Sequence, residues 1–154
     1  MPILTSLARA KINLTLHVGR VNSLGYHPLH SLVVFADIGD ILSAKISDKF
    51  SLEINGPFAE ALSQGNDNLV LKAAKSTALA NKVQIKLAYI LTKNLPVSSG
   101  IGGGSADAAA AVRLLGKFNG DGKNSLGTQL IEIGADVPVC FKSKTSILEG
   151  IGEE

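Results

Sequence analysis

The sequence has 154 residues, of which 45% are hydrophobic, and it carries a formal net charge of +2. No apolar run approaches the roughly 18 residues of a membrane-spanning helix. Lys and Arg are scattered and aromatic residues make up only 5% of the chain, which excludes the basic surface typical of nucleic-acid-binding proteins. Cys140 is the only cysteine and the start lacks signal-peptide features, so we expect one domain in a reducing, cytoplasmic compartment.

The first predicted element is a strand at residues 11–20. Its side chains alternate between an apolar face and a polar face: Ile12, Leu14, Leu16 and Val18 against Asn13, Thr15 and His17. This period of two is typical of a half-buried strand. The small residues Ala8 and Ala10 precede it and leave space beside Lys11.

A loop at residues 21–29 follows, marked by Gly25 and Pro28. It places Tyr26 beside His27, a pair suited to stacking on a nucleobase and hydrogen bonding at its edge. A loop tyrosine that merely covers the core explains the same residues equally well. The three histidines are separated and lack spaced cysteine or carboxylate partners, so we predict no histidine metal site.

The next segment predicts a series of strands. Residues 31–36 are apolar and rich in β-formers, and we interpret residues 37–40 as a turn in which Asp37 and Asp40 bond their own backbone. Residues 41–46 and 50–54 then alternate as two strands of a meander.

A helix is predicted at residues 69–80, with Asn68 among its capping residues. Its apolar face is expected to contain Leu69, Ala73, Ser76 and Leu79. Val83, Ile85 and Leu87 then predict a strand. From the residues alone, Lys93 is a lysine in a solvated loop.

A glycine-rich stretch follows, which we call the glycine loop. It comprises Pro96, Val97, Ser98, Ser99, Gly100, Ile101, Gly102, Gly103, Gly104, Ser105 and Ala106. Four glycines within five residues predict a loop that wraps closely around something, because no Cβ blocks the approach. An alanine-rich helix follows, which Ser105 or Asp107 can cap. A glycine loop that leads into a helix N-terminus predicts an anion site, with phosphate as the expected anion.

Comparison with the two common nucleotide-binding loops shows that this stretch matches neither of them. A Walker A loop ends in Gly-Lys-Ser/Thr, which this sequence lacks, and the Rossmann spacing requires a glycine where Ser105 stands. A flexible linker is disfavoured, because a strand-like run precedes the stretch and a helix follows it.

The last predicted feature surrounds Asp136. A short helix, capped by Ser125, is expected to end at Gly134. Pro138 then biases Val137 to extended geometry, which would fix a bend that presents Asp136. By itself, Asp136 reads as a cap or turn residue.

Four segments together resemble the GHMP superfamily of small-molecule kinases. Pro96, Gly100, Ile101 and Gly102 resemble its second motif, and the stretch from Ala8 to Leu14 resembles its first. The triple glycine, Gly25-Tyr26-His27 and the stretch from Gly134 to Pro138 resemble the branch that acts on a cytidine-diphosphate-linked methylerythritol in isoprenoid biosynthesis. Leu24 replaces the acidic residue usual in that branch.

The resemblance implies an α+β fold: a mixed or antiparallel sheet backed by helices, with the left-handed or split, ribosomal-protein-like β-α-β arrangement of this superfamily. It implies that residues 1–154 form the N-terminal, ATP-binding domain, and that the C-terminal domain of the family is absent from this chain. The chain alone is therefore expected to turn over poorly.

The implied activity is ATP-dependent phosphorylation of a tertiary hydroxyl, with Mg²⁺ neutralising phosphate charge. By resemblance, Lys11 and Asp136 are catalytic, and Asn13, Tyr26 and His27 bind the small-molecule substrate. The glycine loop, Asn68 and Lys93 bind the nucleotide, and the metal ligand is unassigned. Two alternatives stay open: a homoserine or mevalonate type of kinase, and a nucleotide-binding β-α-β module without turnover.

Overall fold

The computed structural model describes residues 2–20, 29–120 and 130–150. Their strands and α-helices, in chain order, are β1 (Leu4–Val18), β2 (Leu29–Ser47), β3 (Ser51–Asn55), α1 (Leu69–Ala80), β4 (Lys86–Thr92), α2 (Gly103–Asn119), α3 (Leu130–Ile133), α4 (Val137–Lys142) and β5 (Ser146–Gly150). The predicted α+β class, with a mixed sheet backed by helices, is confirmed. No helix in these ranges is long and apolar enough to cross a membrane.

Strand β2 is the centre of the sheet. It pairs antiparallel with β1 along one edge, and its other edge is shared between β5, opposite Leu29 to Val33, and β4, opposite Ile41 to Ser47. Strand β3 pairs with β4 in parallel and not with β2, so the predicted meander is wrong. Parallel neighbours need a crossover connection, and the segment containing α1 supplies it.

The predicted turn at residues 37–40 is also wrong. These residues continue β2, and Gly39 and Asp40 lie opposite Arg9 and Ala8 of β1. Asp and Gly favour turns locally, but pairing with a long neighbouring strand outweighs that preference here.

Strand β1 does not present one continuous apolar face. Its register shifts between Asn13 and Thr15, so that Ile12 lies opposite Val34 and Leu16 lies opposite Ser31. Residues directly opposite each other share a face, and Val34 and Ser31, three residues apart on β2, lie on opposite faces. The irregularity therefore reverses the alternation that the sequence predicts.

The helices cover one face of the sheet. Helix α2 contacts β1, β2, α1 and α4, and the run from Ala106 to Val112 is buried. Alanine side chains are short, so they allow the helix axis to approach its neighbours closely.

Helix α1 has the predicted bounds, but of the residues predicted on its apolar face only Ala73 is buried. It buries Val70, Leu71, Ala73, Ala74, Thr77 and Ala78. Leu79, expected on the buried face, is 83% exposed.

Gly39 allows β2 to pass close to β1. A Cβ at this position would lie 2.2 Å from the carbonyl oxygen of Ala8, so Gly39→Ala forces the strands apart. We expect it to lower the free energy of unfolding by about 1–3 kcal/mol, measured by urea denaturation. Gly134→Ala is the matched control, because a Cβ there makes only an ordinary contact, 3.5 Å from Val137. An equal effect of the two substitutions would contradict this account of Gly39.

Candidate active site

The glycine loop forms one wall of a cleft of about 420 Å³. The opposite wall comes from the residues before and at the start of α1: Leu62, Ser63, Asp67, Asn68 and Leu69. Asn68 caps α1 as predicted, because its Oδ1 accepts the backbone N–H of Val70 at 2.9 Å.

Helix α2 begins inside the glycine loop without a side-chain cap. Its N-cap is Gly102 in the left-handed conformation, at φ 66°, and the predicted capping by Ser105 or Asp107 is wrong. Ala106 N–H is bonded to the Gly102 carbonyl at 2.8 Å, and the amides of residues 103–105 precede it. Amides in the first turn of a helix lack intrahelical acceptors, so this end of α2 has the chemistry of an anion site.

The loop is joined to β1 at Lys11. The backbone N–H of Lys11 donates to the Ile101 carbonyl at 2.8 Å. A Cβ on Gly102 would lie 3.1 Å from Lys11 Cε, so the loop passes directly over this side chain. Glycine at 102 thus permits both the positive φ and the close approach.

The structure brings Lys11 and Asp136 together from distant parts of the sequence. Lys11 Nζ lies 3.1 Å from Asp136 Oδ2 and 3.2 Å from Asn13 Oδ1, to which it donates. The Lys11 side chain is 5% exposed and that of Asp136 is 42% exposed. The carboxylate thus contacts a buried cation on one side and is open to solvent on the other.

Asp136 is the N-cap residue of α4 but its side chain makes no capping bond. Val137 is helical and Pro138 lies in the first turn, so the predicted extended geometry at Val137 is wrong. Proline is well tolerated in the first turn, because its missing N–H has no intrahelical partner there. The carboxylate of Asp136 therefore stays available for chemistry.

Arg113 of α2 fastens α4 to β1. Its guanidinium donates to the Cys140 carbonyl at 2.9 Å and to the Leu7 carbonyl at 3.0 Å. The helix that follows Asp136 and the strand that carries Lys11 are thereby held to one another.

Burial raises the pKa of the Cys140 thiol to about 12, so this cysteine is not a nucleophile at neutral pH.

Lys93 is not in a solvated loop, as the residues alone suggested. It lines the cleft, it is 2% exposed, and its ammonium group is paired with both Asp40 and Asp107. Asp40 Oδ1 also accepts the backbone N–H groups of Asn94, at 2.6 Å, and Leu95, at 2.8 Å. The interpretation of Asp40 as a turn residue is therefore wrong.

Sequence reasoning missed Asp40 and Asp107, although one signal was present. Asp40 has the same parity as Leu42 and Ala44, which face the core, and residues i, i+2 and i+4 of a strand share a face. Burial raises the pKa of Asp107 to about 7, against the opposing effect of Lys93.

The resemblance also implied that Tyr26 and His27, together with Asn13, bind the substrate. Tyr26 and His27 lie outside the described residues.

The comparisons with known proteins identify the family of the chain. The family model for the N-terminal domain of GHMP kinases matches residues 68–151, which is more than half of the chain. The chain therefore belongs to the GHMP kinase family and has the fold of that N-terminal domain.

Comparison with individual proteins narrows the similarity to one kind of kinase within this family. It is 52% identical over 150 residues to the 4-diphosphocytidyl-2-C-methyl-D-erythritol kinase of Roseobacter denitrificans, covering 96% of this chain and 49% of the relative. It is 51% identical over 148 residues to the enzyme of the same name from Ruegeria pomeroyi, covering 96% and 51%. A crystal structure of 4-(cytidine 5'-diphospho)-2C-methyl-D-erythritol kinase matches with a TM-score of 0.80 and 31% identity, covering 97% of this chain and 53% of that one. The chain thus spans about half the length of these relatives.

Proposed function

We propose that this chain is the nucleotide-binding part of an ATP-dependent kinase that phosphorylates the 2-hydroxyl of 4-diphosphocytidyl-2-C-methyl-D-erythritol. The observation that carries the proposal is the pairing of Lys11 Nζ with Asp136 Oδ2 at 3.1 Å, next to a glycine loop that is bonded to the Lys11 backbone. The names of the relatives support the choice of substrate.

The glycine loop is the proposed site of the triphosphate. The uncapped N-terminus of α2 offers amide donors and the positive end of the helix dipole, and Asn68 and Leu69 form the wall proposed for the adenine. The described ranges contain no cluster of three or more side chains suited to a metal. Magnesium in kinases is held by one or two side chains together with the phosphates, so ATP would bring it as its magnesium complex.

The chemistry proposed for the chain's own residues is general-base catalysis. Asp136 accepts the proton of the substrate hydroxyl through its exposed side. The Lys11 ammonium stabilises the negative charge of that carboxylate and orients it. Asn13, bonded to Lys11, lies where it can contact the same hydroxyl-bearing part of the substrate.

Substitutions at Gly104 test the nucleotide site. A Cβ here makes only an ordinary contact, 3.5 Å from Leu69 Cδ1 across the cleft, whereas one on Gly103 would press on Lys93. Gly104→Leu places a large side chain in the cleft, and we expect the ATP affinity measured by calorimetry to fall more than about tenfold, because the loop can no longer approach the phosphates. Gly104→Ala is the matched control and should retain most of the affinity. If Gly104→Leu binds ATP as tightly as Gly104→Ala does, the cleft is not the nucleotide site.

Tyr26→Ala tests the proposed recognition of cytosine. Loss of a stacking partner should weaken substrate binding by about 1–3 kcal/mol, measured by calorimetry, while ATP affinity stays unchanged. Tyr26→Phe retains the aromatic face and is the control. A parallel loss of both affinities would show that Tyr26 supports the fold and does not contact the base.

A further inference from the structure

Three buried charged side chains lie beneath the glycine loop, and the proposed mechanism does not use them. Asp40 is 0% exposed, and Lys93 and Asp107 are each 2% exposed. Lys93 Nζ donates to Asp40 Oδ2 and, at 3.1 Å, to Asp107 Oδ2. We call these three residues the buried cluster.

The buried cluster holds both ends of the glycine loop. At the start, Asp40 Oδ1 accepts the backbone N–H groups of Asn94 and Leu95. At the end, Asp107, the fifth residue of α2, is bonded to Lys93. Side-chain hydrogen bonds to the buried cluster therefore hold the two ends of the segment from residue 94 to residue 107 close to each other.

The ammonium group of Lys93 also contacts the loop from below. A Cβ on Gly103 would lie 3.0 Å from Lys93 Nζ and 3.7 Å from Asp40 Oδ2. The first residue of α2 therefore rests on the cluster, and any change in the position of Lys93 or Asp107 is transmitted to the amides of that turn.

We propose that Lys93 and Asp107 are positioning residues that hold the first turn of α2 in the orientation that binds a triphosphate, and that Asp107 carries a proton, taken from solvent, when the triphosphate is bound. This inference rests on the proposed function, in which the glycine loop binds ATP. It assigns to Lys93 an indirect role, through the loop, in place of direct contact with the nucleotide.

The charge of the buried cluster explains why Asp107 would carry a proton when a triphosphate is bound. With both carboxylates ionised, its formal charge is −1, directly beneath a site for a polyanion. Asp107 Oδ1 has no hydrogen-bond partner among the described residues, so nothing there stabilises its ionised form on that side. A proton on Asp107 makes the cluster neutral and removes the repulsion.

The neighbouring groups allow this protonation near neutral pH. The pKa of Asp107 is raised to about 7, chiefly by burial, with Lys93 lowering it and Asp40 of β2 raising it within that net value. Cys140 of α4 also interacts with Asp107, but its thiol is uncharged at neutral pH. Lys11 of β1, which lies against Gly102, is paired with Asp136. A bound triphosphate adds negative charge nearby and favours the protonated form of Asp107 still more.

The test compares ATP affinity across pH in the wild-type chain, Asp107→Asn and Asp107→Ala. Asn imitates the protonated carboxyl, so Asp107→Asn should bind like the wild type at pH 5.5. At pH 8.5 the wild type should bind about tenfold more weakly than Asp107→Asn, because its cluster then carries an extra negative charge. Using the ratio of the two dissociation constants removes the titration of ATP itself.

Asp107→Ala separates positioning from charge. It is as neutral as Asp107→Asn but has no acceptor for Lys93, so it should bind ATP about fivefold or more weakly than Asp107→Asn at every pH. A purely structural contact would alter thermal stability and leave these ratios unchanged. Asp48→Asn, at an exposed position, is the control and should follow the wild type throughout.

The outcomes distinguish this inference from the proposed function. A folded wild-type chain that binds no ATP at any pH overturns both. A wild-type chain that binds ATP, with a constant ratio to Asp107→Asn between pH 5.5 and 8.5 or equal affinities for the Ala and Asn variants, overturns this inference alone.

Discussion

Asp136→Asn should lower kcat by about 10²–10⁴-fold, the usual contribution of a general base. Asn cannot accept the proton of the substrate hydroxyl, yet it has nearly the same size and can still accept a hydrogen bond from Lys11 Nζ, now 3.1 Å from Asp136 Oδ2. Because the chain spans about half of its relatives, we would measure turnover with a fusion. The part of the Roseobacter denitrificans kinase that this chain does not cover, joined at the end of the aligned region, supplies the remaining length.

The control for this experiment is Asp37→Asn. Asp37 forms an ion pair with Arg9 at 3.4 Å, but its side chain is 94% exposed, and it lies outside the cleft lining. Turnover of Asp37→Asn should match that of the unsubstituted fusion.

In Asp136→Asn, KM for the substrate should change little, since the substitution removes an interaction of the transition state. If kcat falls less than about threefold, Asp136 is not the base.

Lys93→Met should lower the free energy of unfolding by about 3–5 kcal/mol, measured by urea denaturation at pH 8. Removal of one partner from a buried ion pair leaves an uncompensated buried charge, and here the ammonium is bonded to two carboxylates, Asp40 and Asp107. Methionine keeps the length of the side chain, so the loss is mainly electrostatic.

Two further variants show whether charge is the cause. Lys72→Met, at an exposed position of α1, should alter stability by less than about 0.5 kcal/mol. Adding Asp107→Asn to Lys93→Met removes one of the two carboxyl groups that have lost their cation, so that this group no longer has to take up a proton at pH 8, and it should recover part of the loss. An effect of Lys93→Met no larger than that of Lys72→Met would show that the buried cluster contributes nothing to stability.

The sequence was informative wherever local patterns determine the structure. The helix at 69–80 followed from its cap and its composition, and the glycine loop with its alanine-rich helix followed from backbone freedom and helix propensity. The first strand was also found, although it extends further towards the N-terminus than residue 11.

Features that depend on distant partners were missed. The continuation of β2 through Gly39 and Asp40 depends on β1, and the parallel pairing of β3 depends on β4. No local pattern reports either pairing, since turn preference and strand alternation are properties of neighbouring residues. The register shift at Asn13 likewise reverses a face that alternation alone shows as continuous.

In the candidate active site, too, sequence motifs indicated individual residues, whereas the contacts between them depend on the fold. Lys11 and Asp136 were singled out only because they lie in motifs that resemble a kinase family, and their 3.1 Å contact depends on β1 and α4 meeting in the fold. The partners of Lys93 lie 53 and 14 residues away from it. A buried charge network of this kind follows from packing and cannot be read from spacing.

We propose that this chain supplies the ATP site and the base of a kinase acting on 4-diphosphocytidyl-2-C-methyl-D-erythritol. Phosphorus NMR of the fusion, incubated with that compound and magnesium ATP, tests this claim. We predict a new phosphomonoester signal, coupled to the carbon that bears the 2-hydroxyl, together with one ADP for each phosphate transferred. ATP consumption that yields only inorganic phosphate, or phosphorylation of homoserine or mevalonate in place of this compound, would contradict the claim.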